Sequence, residues 1–350
     1  MKIDTSENVY LYFHPNSKRT TVKEEHMVGL HAIKKPIEKE LDQFDLVFKA
    51  AMRSSVPLLD KVTQYIVKTK GKQMRPMFVL LAAKISGEIN DSSLRAATLI
   101  ELLHSATLVH DDVVDDSNER RGFFSINALW KNKIAVLVGD YLLSRGMLLA
   151  LNNNDFELLR IVSNAVQEMS EGELLQIEKA RRLDIEESIY FDIIRKKTAS
   201  LIASCCAVGA ASTGASLDMI DRMRNFGTNV GIAFQIKDDI FDYQNTRKTG
   251  KPTGIDIKER KMTLPLIYTL NNCTSSEKRY LINIVKNHAA NPQKVALVIE
   301  KVNQSGGIEY AENRMEEYIA KANDLLADLP ESESLTALKQ LVEFTIERQK

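Results

Sequence analysis

The feature that most constrains the fold is the spacing of apolar residues, which is helical along almost the whole chain. Ile33, Ile37, Leu41, Phe44 and Phe48 recur at three- and four-residue steps, as one face of an α-helix requires. The same spacing recurs in Leu58–Val67, Phe78–Ile85, Leu94–Val109, Ile134–Leu151, Leu158–Ile177, Ile189–Val208, Met219–Ile240, Leu264–Leu270, Tyr280–Val285, Val295–Val302, Tyr310–Leu326 and Leu335–Arg348. Alternation of apolar and polar residues, which would indicate strands, never lasts long. The sequence therefore predicts an all-α protein.

The helical segments are separated only by short breaks, so the sequence predicts one large domain over residues 31–350. No long linker divides the chain, and no short-period repeat is present. Residues 1–30 have mixed polar character without a sustained period. We expect these residues to form a flexible N-terminal extension.

Composition excludes several classes of protein. The chain carries 47 Lys and Arg residues against 47 Asp and Glu residues. Because a nucleic-acid-binding domain usually has a basic excess, we expect no nucleic-acid partner. The three cysteines, Cys205, Cys206 and Cys273, lack the spacing of a zinc site or a disulfide framework. The N-terminus lacks the apolar segment of a signal peptide, which favours a cytoplasmic protein.

One uncharged stretch, residues 201–217, requires a membrane test. It is rich in Ala, Ser and Gly rather than Leu and Ile, and it is shorter than the ~20 residues that usually span a bilayer. Small side chains allow neighbouring backbones to approach closely. The segment is therefore predicted to be a buried helix, and no membrane span is expected.

Two Asp-rich clusters follow apolar helical segments. In LIELLHSATLVHDDVVDD (99–116), Asp111 and Asp115 are four residues apart and share a helix face. In GIAFQIKDDIFDY (231–243), Asp238 and Asp242 repeat that spacing. Carboxylates at a helix C-terminus repel one another and meet the negative end of the helix dipole. One cluster could be a solvated helix end, but two in matching contexts predict a cation site.

The residue types in these clusters indicate which cation is bound. Carboxylates without a Cys or His cluster are ligands for a hard ion. Mg²⁺ is the natural choice, because it binds a few carboxylates and completes its coordination with water and phosphate oxygens. The clusters therefore predict a magnesium-dependent enzyme that acts on diphosphates.

Basic residues that could bind those phosphates lie near both clusters. Arg and Lys suit phosphate oxygens, although each signal alone is weak. His104 lies two helical turns before Asp111, on roughly the same face, so a ligand-binding role and a structural role are both open. The other candidates are Lys72 and Arg75 at a loop-to-helix junction, Arg120 and Arg121 after the first cluster, Lys197 beside Thr198, and Lys251 and Lys261 after the second cluster.

In this order, the motifs resemble those of the trans-isoprenyl diphosphate synthases, the polyprenyl synthetase family, and in particular its long-chain members. The resemblance covers nearly all of residues 36–350, and an ordered set is far more specific than any one motif. The motifs are GKQMRP (71–76), DDVVDDSNERRG (111–122), GDYLLSR (139–145), KT (197–198), FQIKDDIFD (234–242), GKPTGID (250–256) and KMTLP (261–265).

The resemblance implies a single helical bundle around a deep central cavity, in a homodimer. Asp111, Asp115 and Asp238 would hold about three Mg²⁺ ions that bridge the allylic diphosphate. The remaining roles that it implies are support of that shell by Asp112, Asp239 and Asp242, isopentenyl diphosphate binding by Lys72, Arg75, His104 and Arg121, allylic diphosphate binding by Arg120, Lys197, Lys251 and Lys261, and placement of Thr198 and Gln235 near the allylic cation.

The implied reaction is a head-to-tail condensation that needs no nucleophilic side chain. Metal and basic groups neutralise the leaving diphosphate of farnesyl or geranyl diphosphate, so that its C–O bond ionises. The double bond of isopentenyl diphosphate attacks the allylic cation. Loss of a proton, with pyrophosphate as the base, leaves an allylic diphosphate that is five carbons longer.

Product length is predicted from the residues just before the first cluster, which floor the chain cavity in this family. Ala106 and Thr107 are small there, and Phe or Tyr is absent between Leu94 and His110. These positions predict a long product, C30 or above, although small residues also serve helix packing. The family implies that such chains become quinone side chains, and we expect transient membrane contact when a long product is released.

Several alternatives stay open at this point. A short-chain farnesyl or geranylgeranyl diphosphate synthase would share every motif. A class I terpene cyclase also uses an Asp-rich helix end but needs no second diphosphate site. A metal-dependent phosphohydrolase that uses His110 and Asp111 would need further His ligands, and the six His residues of the chain are poorly spaced for that. A non-catalytic partner subunit would be expected to lack the Asp clusters.

Overall fold

The computed structural model describes residues 29–69, 71–120, 122–182, 186–244 and 254–346. Arg121, Lys251 and the first 28 residues lie outside this part of the chain, so the predictions made for them stay predictions. A short 3-10 helix, Lys35–Ile37, precedes the first α-helix. The α-helices are α1 Glu38–Ala51, α2 Pro57–Lys68, α3 Met74–Ser86, α4 Asp91–Val114, α5 Ile126–Leu151, α6 Phe156–Arg182, α7 Glu187–Ile194, α8 Ser200–Ser212, α9 Leu217–Tyr243, α10 Ile255–Lys258, α11 Leu264–Asn271, α12 Ser275–Asn287, α13 Pro292–Gln304, α14 Gly307–Asp324 and α15 Glu333–Ile346.

The all-α prediction is confirmed. In the described ranges the strands are limited to one antiparallel hairpin, β1 Glu119–Arg120 and β2 Phe123–Phe124. Two-residue strands are too short to show alternation, so apolar spacing did not predict them.

Helix α8 is the buried centre of the bundle, as predicted for the first twelve residues of the small-residue segment 201–217. The prediction was wrong for the end of that segment, because the helix ends at Ser212 and Leu217 begins α9 with 72% of its surface exposed. Nearly all of its side chains are buried, and it packs on α3, α4, α6 and α9. A methyl group added at Gly209 would lie 2.3 Å from the Val79 carbonyl oxygen. The absence of side-chain bulk therefore sets the distance between α3 and α8.

Contacts along α8 give the directions of its neighbours. The side chain of Ser212 donates to Ser93 Oγ at 2.7 Å, so the end of α8 lies beside the start of α4. A methyl group at Gly231 would lie 2.5 Å from Ala199 Cα, so the start of α8 lies beside the second half of α9. Both neighbours therefore run antiparallel to α8. Their C-terminal ends, which carry the two Asp clusters, lie at the same end of the bundle.

The predicted helix Ile189–Val208 is interrupted. Residues Arg195–Ala199 form one turn of π-helix between α7 and α8. Gly172 of α6 and Gly231 of α9 contact this turn, and a methyl group at Gly172 would lie 2.7 Å from the backbone nitrogen of Lys197. Apolar spacing alone does not distinguish a π-turn from a continuous α-helix.

Helix α5 is the most apolar long helix of the described chain. By length and composition it is the one helix in the described ranges that could cross a membrane. Only 33% of its most apolar 18-residue stretch is buried. Lys131 interrupts its helical backbone with φ 73° and ψ 159°. The sequence test for a span was applied to residues 201–217, so the outward-facing apolar surface of α5 was not anticipated.

Candidate active site

The first Asp cluster lies at the C-terminal end of α4. Asp111 and Asp112 are in the last turn, and the backbone N–H of Asp115 donates to the Asp111 carbonyl at 2.8 Å. Asp111 and Asp115 are exposed, whereas Asp112 is buried. Asp116 takes a left-handed conformation with φ 49°, which turns the chain away from the helix axis. The i, i+4 pair predicted to bind metal is thus presented at an open helix end.

The second cluster lies in the last turns of α9. Asp238 is half-buried, and Asp239 is only 5% exposed. Asp239 accepts hydrogen bonds from Tyr190 Oη at 2.7 Å and from Gln235 Nε2 at 2.8 Å. Burial, together with the neighbouring Asp256 carboxylate, raises the pKa of Asp239 to about 8. This carboxylate is therefore held in place by neutral donors.

Asp242 has a different environment from the other carboxylates of its cluster. Its two oxygens accept the backbone N–H groups of Ile255 at 2.8 Å and of Asp256 at 3.0 Å. Burial raises the pKa of Asp242, and these amides oppose that shift. In the described structure Asp242 thus anchors the segment that follows the cluster, and its part in the metal shell stays a prediction.

The π-helix carries the two residues of the Lys-Thr motif. Lys197 Nζ forms an ion pair with Glu173 of α6 and lies 3.4 Å from Gln176 Oε1. Thr198 Oγ1 donates to Gln235 Oε1 at 2.8 Å. The motif therefore contacts α6 on one side and the second Asp cluster on the other.

The predicted isopentenyl diphosphate residues lie at the start of α3 and within α4. Lys72 lies two residues before the start of α3, and its Nζ lies 5.0 Å from the ring centre of Phe344 in α15. Arg75 is in the first turn of α3, and His104 is buried in α4. The C-terminal helix α15 thus helps to define the surroundings of Lys72.

The remaining basic candidates within the described residues lie in the β1–β2 hairpin and in the loop between α10 and α11. Arg120 lies in β1, where it is paired with Phe123. Lys261 forms ion pairs with Glu259 and Asp256, the latter at 3.6 Å. Burial alone would lower the pKa of Lys261, but these two carboxylates raise it above its usual value. A phosphate bound by Lys261 would share it with carboxylates of the same chain.

The two residues predicted to limit product length, Ala106 and Thr107, lie in the C-terminal half of α4. Ala106 is fully buried. Thr107 is half-buried, and its hydroxyl donates to the His104 carbonyl at 3.0 Å. Both side chains are small, and their role in limiting product length stays a prediction.

Several residues that were not predicted as site residues also reach this end of the bundle. Tyr190 contacts Asp239, and Glu173 and Gln176 contact Lys197. Asp256 follows the second cluster and is paired with Lys261. Helical spacing gave no signal for Tyr190, because Tyr190 faces α9 whereas Lys197, seven residues later and beyond the start of the π-turn, faces α6.

The donor set fits a hard cation that also binds substrate. In the parts of the chain that the structure describes, no three His, Cys, Asp or Glu side chains converge closely enough to hold a metal ion alone. Burial raises the pKa of Asp256 to about 6 and that of Asp239 to about 8. Carboxylates outnumber nearby cations there, and Mg²⁺ held partly by diphosphate oxygens would supply the missing positive charge.

Comparison with known proteins agrees with this arrangement. Residues 56–302 match the polyprenyl synthetase family. The chain therefore belongs to the polyprenyl synthetase family, whose members adopt this all-α fold, and it is a prenyltransferase of the trans-prenyl diphosphate synthase type.

Particular relatives differ in the product that their names specify. An all-trans-nonaprenyl-diphosphate synthase of Rhodobacter capsulatus is 38% identical over 89% of this chain and 96% of its own. The structure of geranylgeranyl pyrophosphate synthase from Bacteroides thetaiotaomicron is 41% identical, with TM-score 0.78 over 91% and 99% of the two chains. A polyprenyl synthase from Caulobacter crescentus, complexed with calcium and isoprenyl diphosphate, is 30% identical, with TM-score 0.84 over 92% and 98%.

Proposed function

We propose that this protein is a magnesium-dependent all-trans polyprenyl diphosphate synthase that adds isopentenyl diphosphate to farnesyl or geranyl diphosphate. The observation that carries the proposal is the common end of the bundle shared by both Asp clusters and the Lys-Thr motif. Helices α4 and α9 run antiparallel to α8, so about 20–30 Å of helix separates these groups from the opposite end. Acidic side chains that would bind metal and the Lys-Thr motif that would bind phosphate thereby lie at one end of the bundle.

Each group has a part in the proposed reaction. Mg²⁺ held by Asp111, Asp115 and Asp238 would neutralise charge on the leaving diphosphate. Lys72 and Arg75 would hold the second diphosphate, with His104 and Arg121 completing that set. The basic side chains on the allylic diphosphate would be Arg120, Lys197, Lys251 and Lys261.

The bond changes balance without a protein nucleophile. The C–O bond of the allylic diphosphate breaks, and the double bond of isopentenyl diphosphate forms the new C–C bond. The proton lost from the resulting cation passes to the released pyrophosphate. The side-chain oxygens of Thr198 and Gln235, which already touch each other, would place negative dipole density beside the allylic cation.

We also propose a long product, C30 or longer, that serves as a quinone side chain. The support is the small, buried Ala106 and the small Thr107 before the first cluster. The alternative is a short-chain product. The observation that supports this alternative is the 41% identity to the Bacteroides thetaiotaomicron geranylgeranyl pyrophosphate synthase.

A cytoplasmic homodimer is the proposed form of the enzyme. Its support is the outward face of α5, where Leu137 is 56% exposed and Leu148 is 47% exposed. These residues are eleven positions apart, about three helical turns, and therefore lie on one face. A second copy that packs its own α5 there would cover both apolar surfaces at once. Transient membrane contact during product release is a further expectation.

The direct test is to incubate the purified protein with isopentenyl diphosphate, an allylic primer and Mg²⁺, and then to size the products. We expect condensation products of C30 or above, and none when the metal is removed by a chelator. Products that stop at C15 or C20 would support the short-chain alternative. A wild-type protein that forms no condensation product with any allylic primer would contradict the proposed function.

A further inference from the structure

A chain of three hydrogen bonds links a buried tyrosine of α7 to the Lys-Thr motif. Tyr190 Oη donates to Asp239 Oδ2 at 2.7 Å, and Gln235 Nε2 donates to Asp239 Oδ1 at 2.8 Å. Thr198 Oγ1 then donates to Gln235 Oε1 at 2.8 Å. The chain joins three elements, α7, α9 and the π-helix, at the candidate active site.

The chain has a defined direction because of the donors and acceptors in it. Asp239 accepts at both carboxyl oxygens, and the amide of Gln235 presents its NH₂ group to one of them. The amide oxygen is then directed to Thr198. Tyr190 completes the set of donors around Asp239, which is 5% exposed. The orientation of the Gln235 amide therefore depends on the orientation in which Asp239 is held.

We propose that Tyr190 is a positioning residue for the prenyl-transfer step, which acts through Asp239 to orient the amide of Gln235 and the hydroxyl of Thr198. The inference rests on the proposed function, since it concerns the two oxygens that would face the allylic cation. Tyr190 touches no substrate in this scheme. Its ring is fixed by an edge-on contact with Phe191, with ring centres 5.3 Å apart, so the hydroxyl has little freedom to leave Asp239.

The test is Tyr190→Phe, which removes the hydroxyl and retains the ring. A buried acceptor that loses a donor relaxes toward other partners, so we expect kcat to fall roughly tenfold. The KM values for both diphosphates and the Mg²⁺ concentration for half-maximal activity should change less than about twofold, because the phosphate-binding side chains are unaltered. Thermal unfolding of the variant checks that the fold is retained.

A matched control is provided by Tyr310 of α14, which contacts the same helix α7. Tyr310 Oη also donates to a carboxylate at 2.7 Å, that of Glu187 at the start of α7, but this pair has no link to Gln235. Tyr310→Phe removes a tyrosine–carboxylate hydrogen bond of the same length and should leave kcat within about twofold of wild type. Equal losses of kcat in both variants would mean that α7 acts only through general stability, and would overturn the inference.

A second measurement separates the hydrogen-bond chain from an effect on the metal ligands. Gln235→Met breaks the chain between Asp239 and Thr198 while keeping the side-chain length. In that background, Tyr190→Phe should lower kcat by less than about twofold further, because the route to Thr198 is already lost. A full, additive loss in the double variant would refute the proposed route. A wild-type enzyme without condensation activity would instead refute the proposed function itself.

Discussion

At the scale of single residues, the structure separates side chains of the same type by what surrounds them. Asp238 and Asp242 were predicted from one spacing rule, yet Asp242 accepts two backbone N–H groups whereas Asp238 stays half-buried at the site. The i, i+4 rule places both on one helix face. It carries no information about the segment after the helix, which supplies the amides that Asp242 binds.

This difference predicts distinct effects of two substitutions. Asp238→Asn should lower kcat by a hundredfold or more, on the order expected for loss of a charge that stabilises the transition state. Asp242→Asn should mainly reduce stability, by about 1–2 kcal/mol, because one backbone amide loses its charged acceptor. Urea unfolding and steady-state kinetics would be measured on both.

The control for this pair is Asp221→Asn in the first half of α9, because Asp221 is exposed and its ion pair with Arg224 should contribute little. If Asp242→Asn lowered kcat as much as Asp238→Asn while the free energy of unfolding stayed unchanged, Asp242 would be a metal ligand rather than an anchor.

Product length is also decided by individual side chains. Ala106→Phe adds an aromatic ring to a fully buried position, so we expect the product distribution to shift to shorter chains. Ala106→Val should shift it less, since its side chain is smaller. The measurement is chromatographic sizing of products from one primer. An Ala106→Phe enzyme that folds and makes products of wild-type length would show that Ala106 does not floor the cavity.

At the scale of secondary structure, close contact between backbones explains the position of the Lys-Thr motif. The π-turn Arg195–Ala199 lies between Gly172 and Gly231, with room for no side chain at either glycine. π-Turns within helices recur at functional sites, because the extra residue redirects side chains. Here the turn directs Lys197 to α6 and Thr198 to α9.

Gly172→Ala is therefore expected to disturb the motif. The added methyl group would lie 2.7 Å from the Lys197 nitrogen, so α6 and the π-turn must separate. We expect activity to fall about tenfold with a loss of stability of about 1–3 kcal/mol. The matched variant is Gly146→Ala on α5, whose methyl group would meet the flexible end of Leu99 at 3.0 Å. Similar kinetics for both variants would argue against a role for the Gly172 contact.

At the scale of the whole molecule, α5 is the element whose surface is not explained by the fold of one chain. Most of its apolar 18-residue stretch is not buried, and the exposed leucines Leu137 and Leu148 lie on one face. Patches of this kind mark interaction surfaces in proteins. The proposed partner is a second copy of the chain.

The dimer proposal predicts that Leu137→Glu combined with Leu148→Glu converts the protein to a monomer, since like charges would meet across the interface. Sedimentation or light scattering would measure the mass. Leu46→Glu on α1, where Leu46 is 68% exposed, should leave the mass unchanged. A wild-type protein that is monomeric, or a double variant that stays dimeric, would contradict the use of this face.

The sequence by itself determined the helical class, the two Asp clusters and the ordered motifs, because helical periodicity and i, i+4 pairing are local properties. It also determined that residues 201–212 are a packed helix, since small residues allow backbones to approach. The predicted segment ran five residues too far, because an uncharged small-residue pattern does not mark the turn before Leu217. Tertiary structure alone decided which ends of the helices meet. The antiparallel packing of α4 and α9 on α8 is set by non-local contacts such as that between Ser93 and Ser212.

Only tertiary structure could also assign partners to chemically similar groups. Tyr190 and Asp239 are 49 residues apart, and their hydrogen bond follows from the packing of α7 against α9. The π-turn arises for the same reason, because two glycines on other helices leave space at one level of the bundle. A local pattern specifies which face of a helix is apolar. The neighbours on that face, and so the geometry of the site, are specified by side-chain volumes elsewhere in the chain.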